Sequence, residues 1–311
     1  MTDKRFVIYV LGPTASGKTS LAVELAIKYN AEIISADSMQ IYKGISIASA
    51  APKTEEMKGI PHHLVEFLDT SEEFTVAQYV NLAREKIDEI FNKNKNCIVV
   101  GGTGLYLTAL IDNINFLEQQ DNLEIRLELE KEMAEKGPEY MLSVLKEFDS
   151  EAAAKLHPNN KRRIIRAIEV YKLTGKTFTE LNLLSKTEAL AYKPIIIGLN
   201  YKSRETLYER INKRVDLMLS DGLIDEAKGF FNLKNGSGAA QAIGHKELAP
   251  YFTGEITLEN AVENLKQATR RYAKRQITWF KRMENVNWIY PDESNDILLE
   301  ATKIIEREIN L

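Results

Sequence analysis

The run Phe6-Val-Ile-Tyr-Val-Leu11 is apolar without interruption, the pattern of a strand buried on both faces of a parallel sheet. It leads straight into Gly12-Pro-Thr-Ala-Ser-Gly17-Lys18-Thr19, after which Leu21, Ala22, Leu25 and Ala26 recur at helical spacing. Strand, glycine-bounded loop and helix in that order predict an α/β fold with a P-loop-type parallel sheet core. Gly12, Pro13, Thr14, Ala15, Ser16, Gly17, Lys18 and Thr19 then form a phosphate cradle. Backbone N–H groups at the helix start face phosphate oxygens, and Lys18 adds a movable positive charge. The Thr19 hydroxyl is placed to ligate a Mg²⁺ that bridges two phosphates. A polyphosphate ligand is implied; the loop does not say which one.

The rest of the chain repeats the alternation. Glu32 to Asp37 reads as a second short strand ending in an acid, followed by a loop region holding Pro52, Gly59 and Pro61. Phe74 to Asn92 carries Val76, Val80, Ala83, Ile87 and Ile90 on one helical face. Cys97 to Val100 is a third buried strand, broken by Gly101-Gly-Thr-Gly104. Ligands of such sheets lie at the carboxyl ends of the strands, which predicts one crevice lined by Gly12–Thr19, Asp37 and Gly101–Gly104. From Asn115 to Tyr192 nearly everything reads helical, with Asn160 as a cap and Thr174-Gly175 as a stop. Ile195–Leu199 returns to strand, Leu207–Leu219 and Leu258–Met283 to helix, and Val286–Tyr290 to a last strand. The expected organisation is a P-loop core over residues 1–114, a helical insertion domain over 115–192, and a second core segment over 193–311.

A chain of 311 residues has room for one sizeable core plus such an insertion. No apolar run reaches membrane-spanning length, and the first strand follows the start too closely for a signal peptide. The single cysteine, Cys97, lies in an apolar strand and reads as a buried thiol, with no partner for a disulfide. A cytoplasmic protein is expected, and a monomer by default, with no membrane association. Net charge is −4, yet Lys266, Arg270, Arg271, Lys274, Arg275, Lys281 and Arg282 follow one another with no acid between them. A segregated basic face can bind a polyanion on an acidic protein, because the local field governs association. Tyr272, Trp279 and Phe280 are interleaved with these charges, which favours looped, single-stranded RNA over a merely solvated face.

Other P-loop proteins hold Mg²⁺ with an acid at the end of a neighbouring strand. Ile98-Val-Val100 instead runs into Gly101-Gly102. Asp37 is the substitute carboxylate, either a general base or a turn cap. Thr103 sits in a turn whose glycines let backbone approach a ligand closely, or serve the turn alone. His62 and His63 lack further ligands at zinc spacing and read as structural or substrate-orienting. His157 and His245 are isolated. Arg162 and Arg166 lie one helical turn apart.

Taken together, these residues resemble the tRNA dimethylallyltransferases, also called tRNA isopentenyltransferases. The resemblance runs over nearly the whole chain. It rests on Gly12–Thr19, Ser35-Ala-Asp-Ser-Met-Gln40, Gly59-Ile-Pro-His-His63, Gly101-Gly-Thr-Gly-Leu-Tyr106, Arg163-Ile-Ile-Arg-Ala-Ile-Glu169, Leu207–Val215, Gln241-Ala-Ile-Gly244 and Tyr272–Phe280. It implies transfer of a dimethylallyl group from its pyrophosphate to N6 of the adenine 3′-adjacent to the anticodon, with Mg²⁺. It implies the loop, Lys18 and Arg214 on the leaving pyrophosphate, Mg²⁺ at Thr19, Asp37 as acceptor of the N6 proton, and Thr103 as a positioning group. Ser38, Met39 and Gln40 would touch the extruded base. Arg126, Arg162, Arg163, Arg166, Gln241, Gly244 and Lys246 match positions that touch the anticodon stem-loop, and Arg270 and Lys274 would add phosphate contacts. The family usually has a glycine and a lysine where this chain has Ala48 and Ala51, and a tyrosine at His245. The zinc finger that ends eukaryotic members is absent, as in a bacterial-type enzyme. The competing readings are a P-loop small-molecule kinase, an isopentenyltransferase for free adenine nucleotides, and an RNA-binding protein with a vestigial loop.

Overall fold

The computed structural model describes residues 5–116, 122–185, 189–231 and 242–310. They form two compact units, one running up to Ile111 and resuming at Leu190, the other spanning Asp112–Ala189.

The first unit is built on strands β1 (Phe6–Leu11), β2 (Ala31–Ser35), β3 (His62–His63), β4 (Asn96–Gly101), β5 (Lys193–Leu199) and β6 (Asn287–Ile289). Its helices are α1 (Lys18–Lys28), α2 (Ser46–Ser49), α3 (Thr54–Met57), α4 (Val76–Asn92) and α5 (Gly104–Ile111) before the second unit. After it come α11 (Arg204–Ser220), α12 (Leu223–Phe231), α13 (His245–Phe252), α14 (Leu258–Phe280) and α15 (Ile297–Ile309). Among the described residues the six strands form one parallel sheet in the order β3-β2-β4-β1-β5-β6. The register sets Val7 beside Cys97, Ile8 beside Ile195 and Ile33 beside Ile98. Side chains alternate across the sheet, so Ile8, Val10, Ile33, Ile98, Val100, Ile195 and Ile197 share one face. There they pack on Leu21 and Leu25 of α1 and on Ala301 and Ile305 of α15. Cys97 is fully buried, and burial raises its thiol well above the ordinary value.

Helix ends follow local chemistry. Thr75 opens α4 as a capping box with Gln78, and Thr257 accepts from the Asn260 amide at the start of α14. β3 is a strand where the sequence reads as loop, because two residues are too few to show periodicity. Its residues point to opposite sides. His63 Nε2 meets Glu32 at 2.7 Å, whereas His62 Nδ1 donates to the Ile60 carbonyl at 2.9 Å. Burial works against the charge of Glu32, but hydrogen bonds from Lys95, His63 and Lys93 hold its pKa down to about 2. β2 ends at Ser35, so Asp37 lies in the loop beyond it.

The second unit consists of α6 (Leu123–Lys136), α7 (Pro138–Phe148), α8 (Ser150–Ala154), α9 (Lys161–Thr174) and α10 (Phe178–Leu184). Leu129, Met133, Met141, Leu145, Ile164, Ile165 and Ile168 make its own core. Buried Asp149 ties α8 to α10 through the Ala152 amide and the amide and hydroxyl of Thr179. The two ends of the unit meet where Asn115 N donates to the Ser185 carbonyl at 3.0 Å. Gly175 stops α9 in a left-handed conformation, φ 67°. Asn160 does not cap that helix with its side chain; its Oδ1 accepts from the His157 amide instead.

Candidate active site

The loop after β1 is held from three sides. Gly12 has φ 151°, and a Cβ there would strike the Leu199 carbonyl of β5, so only glycine fits. Ala15 is left-handed, φ 63°, a conformation that costs about 1–3 kcal/mol for a residue with a side chain. Arg210 of α11 holds it by donating from Nε to the Ala15 carbonyl at 3.0 Å. On the other side, Gln276 of α14 is 5% exposed and joins two turns. Its Oε1 accepts from the Thr14 amide at 2.9 Å, and its Nε2 donates to the Gly102 carbonyl at 2.9 Å. The loop after β1 and the turn after β4 are thus fixed to one another through a residue far along the chain.

Lys18 Nζ donates to the Pro13 carbonyl at 2.7 Å, curled back into its own loop. Desolvation and the nearby Arg214 guanidinium lower its pKa to about 7, against the opposing pull of Asp37. Burial likewise lowers that of Arg214, with Asp37 again opposing. These three groups therefore sense one another: two cations without full solvation, and one carboxylate facing them.

Asp37 Oδ1 accepts from the Met39 amide at 2.9 Å, so the turn reading of this residue is present in the geometry. The other carboxylate oxygen is not used by that turn. Thr103 Oγ1 accepts from the Ser38 amide at 2.9 Å, and its own amide donates to the Ala36 carbonyl at 3.1 Å. Tyr272 of α14 joins this group through a hydrogen bond with Thr103; burial first, and then the charge of Asp37, push its phenol upward. Gly101 packs so closely on Ala36 that a Cβ would run into the Ala36 carbonyl. The strand end that carries an acid in other P-loop proteins is occupied here by backbone packing.

A cavity of about 300 Å³ opens between these parts. Among the sequence-derived candidates it brings together Thr14, Lys18, Thr19, Asp37, Ser38, Met39, Gln40 and Arg214. Gly12, Pro13, Ala15, Ser16 and Gly17 contribute the loop backbone beneath it, and Thr103 braces it through Ser38. Gly244 is buried and Lys246 exposed at the start of α13, beside the lining residue Ile243. Gln241 lies outside the described residues. Arg126, Arg162, Arg163 and Arg166 belong to the second unit. There Arg162 and Arg163 are exposed, Arg126 faces Glu130 at 3.7 Å, and Arg166 meets buried Glu169 at 2.7 Å.

The basic helix differs from its reading in sequence. Lys266 pairs with Asp216 of α11 at 2.6 Å, and Arg270 with Glu263 at 2.8 Å and with Asn212 Oδ1 at 2.8 Å. Acids absent from the run are supplied by a neighbouring helix and by the preceding turns. Lys274 stays exposed, and Arg275 lines the cavity. Residues missed in sequence are Gln276 and Arg210; Arg275 was read only as part of the basic face. Gln276 carried a legible signal: it is the polar member of the face Ala261, Leu265, Ala273, Gln276 and Phe280. Arg210 carried none, because its partner is a backbone carbonyl.

Against known proteins, the family described as IPP transferase matches residues 40–283. A tRNA dimethylallyltransferase of Acetivibrio thermocellus is 50% identical over 289 residues, covering 92% of either chain. That of Bacillus subtilis is 45% identical over 303 residues, covering 97% of this chain and 96% of its own. The tRNA isopentenylpyrophosphate transferase of Bacillus halodurans superposes with a TM-score of 0.73 at 41% identity, over 99% of this chain and 97% of its own. A eukaryotic dimethylallyltransferase acting on tRNA gives a TM-score of 0.82 at 31% identity, over 98% of this chain and 79% of its own. With the glycine-bounded loop, the facing carboxylate and the strand end without an acid, these matches make the chain a member of the IPP transferase family, that of the tRNA dimethylallyltransferases.

Proposed function

We propose that the chain transfers the dimethylallyl group of dimethylallyl pyrophosphate to N6 of the adenine 3′-adjacent to the anticodon of a tRNA. The observation that carries this reading is the placing of Lys18, Arg214 and Asp37 on the lining of one cavity. The pyrophosphate lies in the loop Gly12–Thr19, against the amides of the α1 start. As the allylic C–O bond breaks, charge grows on the leaving pyrophosphate, and Lys18 and Arg214 stabilise it where few waters compete. The adenine leaves the anticodon-loop stack to reach the cavity. Its N6 bonds to the allylic carbon, and the N6 proton passes to the Asp37 carboxylate. Thr103 holds the backbone of Ser38 and so the turn that aims Asp37. Ser38, Met39 and Gln40 present polar and apolar surface to the base.

Mg²⁺ fits this site as a companion of the pyrophosphate. The described residues hold no group of three or more His, Cys, Asp or Glu that could cage an ion. A hydroxyl from Thr19 with phosphate oxygens and water is the oxygen-only donor set that Mg²⁺ takes. Bound there, the ion supplies charge neutralisation of the leaving group. The anticodon stem-loop is bound by Arg126, Arg162, Arg163 and Arg166 of the second unit, and by Gln241, Gly244, Lys246, Lys274 and Arg270 of the first. Arg270 does so through the guanidinium edge left by Glu263 and Asn212.

The test is a reaction of the protein with an anticodon stem-loop, Mg²⁺ and labelled dimethylallyl pyrophosphate, beside one with labelled ATP. Label is expected in the RNA, with ATP intact. Asp37→Ala is expected to lower kcat by roughly 10²–10⁴ while RNA affinity stays within a few-fold. Full turnover by that variant removes Asp37 as the proton acceptor, and ATP hydrolysis with unlabelled RNA returns the site to a kinase.

A further inference from the structure

The cavity changes character along α11. Arg214 faces Lys18 and Asp37, and Val215 and Met218 line the same cavity. Met218 is one turn beyond Arg214 on the same helical face, about 6 Å along the axis. Ala48 and Ile243 also line the cavity, and with Val215 and Met218 they belong to one apolar cluster packed on Leu223 and Leu248. A chain attached to a pyrophosphate held at Lys18 and Arg214 therefore passes from charged lining to an apolar wall within about one helical turn.

One buried carboxylate reaches both parts of that wall. Glu226 of α12, its side chain 8% exposed, accepts from the Ile47 amide at 2.8 Å and from the Ala48 amide at 2.9 Å. His245 donates to the same carboxylate from Nε2 at 3.1 Å and stacks on Phe230 with ring centroids 4.9 Å apart. Ile243 precedes His245 by two residues. Glu226 thus holds both sides of the wall, Ala48 directly and Ile243 through the start of α13.

Volume adds a second constraint. A cavity of about 300 Å³ is at the small end of ligand pockets, roughly 300–1,000 Å³. Pyrophosphate, prenyl chain and extruded adenine must share it in the reaction. We propose that Met218, Ile243 and Ala48 form a stop that limits the donor to a five-carbon chain, and that Glu226 is the positioning residue that keeps the stop in place. This rests on the prenyl-donor reading above.

The test compares dimethylallyl with geranyl pyrophosphate, which adds one five-carbon unit, in the wild-type protein, Met218→Ala and Glu226→Gln. kcat/KM for both donors is measured with the anticodon stem-loop. Affinity for both donors and for inorganic pyrophosphate is measured without RNA. Met218→Ala is expected to raise the geranyl-to-dimethylallyl ratio by about 10–200-fold. Glu226→Gln, which puts an amide N–H against a backbone N–H, should shift the ratio the same way by less. Inorganic pyrophosphate has no chain and so reports on loop and fold in each variant. A ratio unmoved in both variants, or equal wild-type affinity for the two donors, overturns the stop. A wild-type protein that binds dimethylallyl pyrophosphate no better than inorganic pyrophosphate overturns it too, but by removing the donor reading.

Discussion

Lys18 sits where desolvation and the Arg214 guanidinium both act against its positive charge, and its pKa falls from 10.5 to about 7. The cost of that charge is fully present below pH 7 and is relieved as pH rises towards the unfolded value, so this residue alone favours folding at higher pH. Pyrophosphate reverses the balance, because two phosphates beside the ammonium favour the protonated form. Binding above pH 7 therefore takes up a proton. The contribution of Lys18 to pyrophosphate affinity, read against a Lys18→Met variant so that the ligand's own ionisation cancels, should be flat below pH 7 and fall by up to about tenfold per unit above it. Calorimetry at pH 8 in buffers of different ionisation enthalpy reads the uptake directly, and a buffer-independent heat would refute it. The presence of Lys18 was legible from the spacing of the loop. Its titration was not, since it follows first from burial and then from the Arg214 guanidinium, which comes from α11 far along the chain.

At the level of elements, α14 does more than present charge. Among the described residues, Gln276 fastens the loop after β1 to the turn after β4, with a hydrogen bond to each. Trp279 Nε1 donates to Thr108 Oγ1 at 2.9 Å and fixes the same helix to α5. Gln276→Met keeps the volume and leaves the Thr14 amide and Gly102 carbonyl without partners, at about 1–3 kcal/mol for each buried group. Urea unfolding should show a loss of about 2–6 kcal/mol for the two groups together, and pyrophosphate affinity should fall with it. Unchanged stability would mean that water replaces both bonds. The helix was legible from its period, and the polar interruption of its apolar face marked Gln276. The ion pair of Lys266 was not legible, because counting along one helix misses Asp216 on another, whereas Arg270 pairs with Glu263 two turns earlier on its own helix, ahead of the basic run.

For the whole molecule, the close approach of Asn115 and Ser185 means that the second unit leaves and rejoins the chain at one place. It has its own apolar core. Replacing residues 116–184 by a short Gly-Ser loop should leave pyrophosphate affinity within a few-fold. Affinity for the anticodon stem-loop should fall about tenfold or more, with a shallower salt dependence. Loss of pyrophosphate binding in this variant would mean that the first unit depends on the second to fold. No helix among the described residues is long and apolar enough to cross a membrane.

The sequence by itself determined the parallel α/β core, the glycine-bounded loop after β1, the acid beyond β2 and the glycine turn beyond β4. Each depends on periodicity or backbone chemistry confined to a few neighbouring residues, and such signals survive without knowledge of the partner. Only the tertiary structure decided that Arg275 lines the cavity beside Arg214, which the resemblance already sets at the pyrophosphate, that Gln276 and Arg210 clamp the loop, and that Glu226 holds the apolar wall. It also decided the two-residue strand β3, which exists because Ile33 can donate to the Pro61 carbonyl at 3.0 Å. These are contacts between elements distant in sequence. They are fixed by the order β3-β2-β4-β1-β5-β6 and by helix packing, which no local pattern of residues encodes.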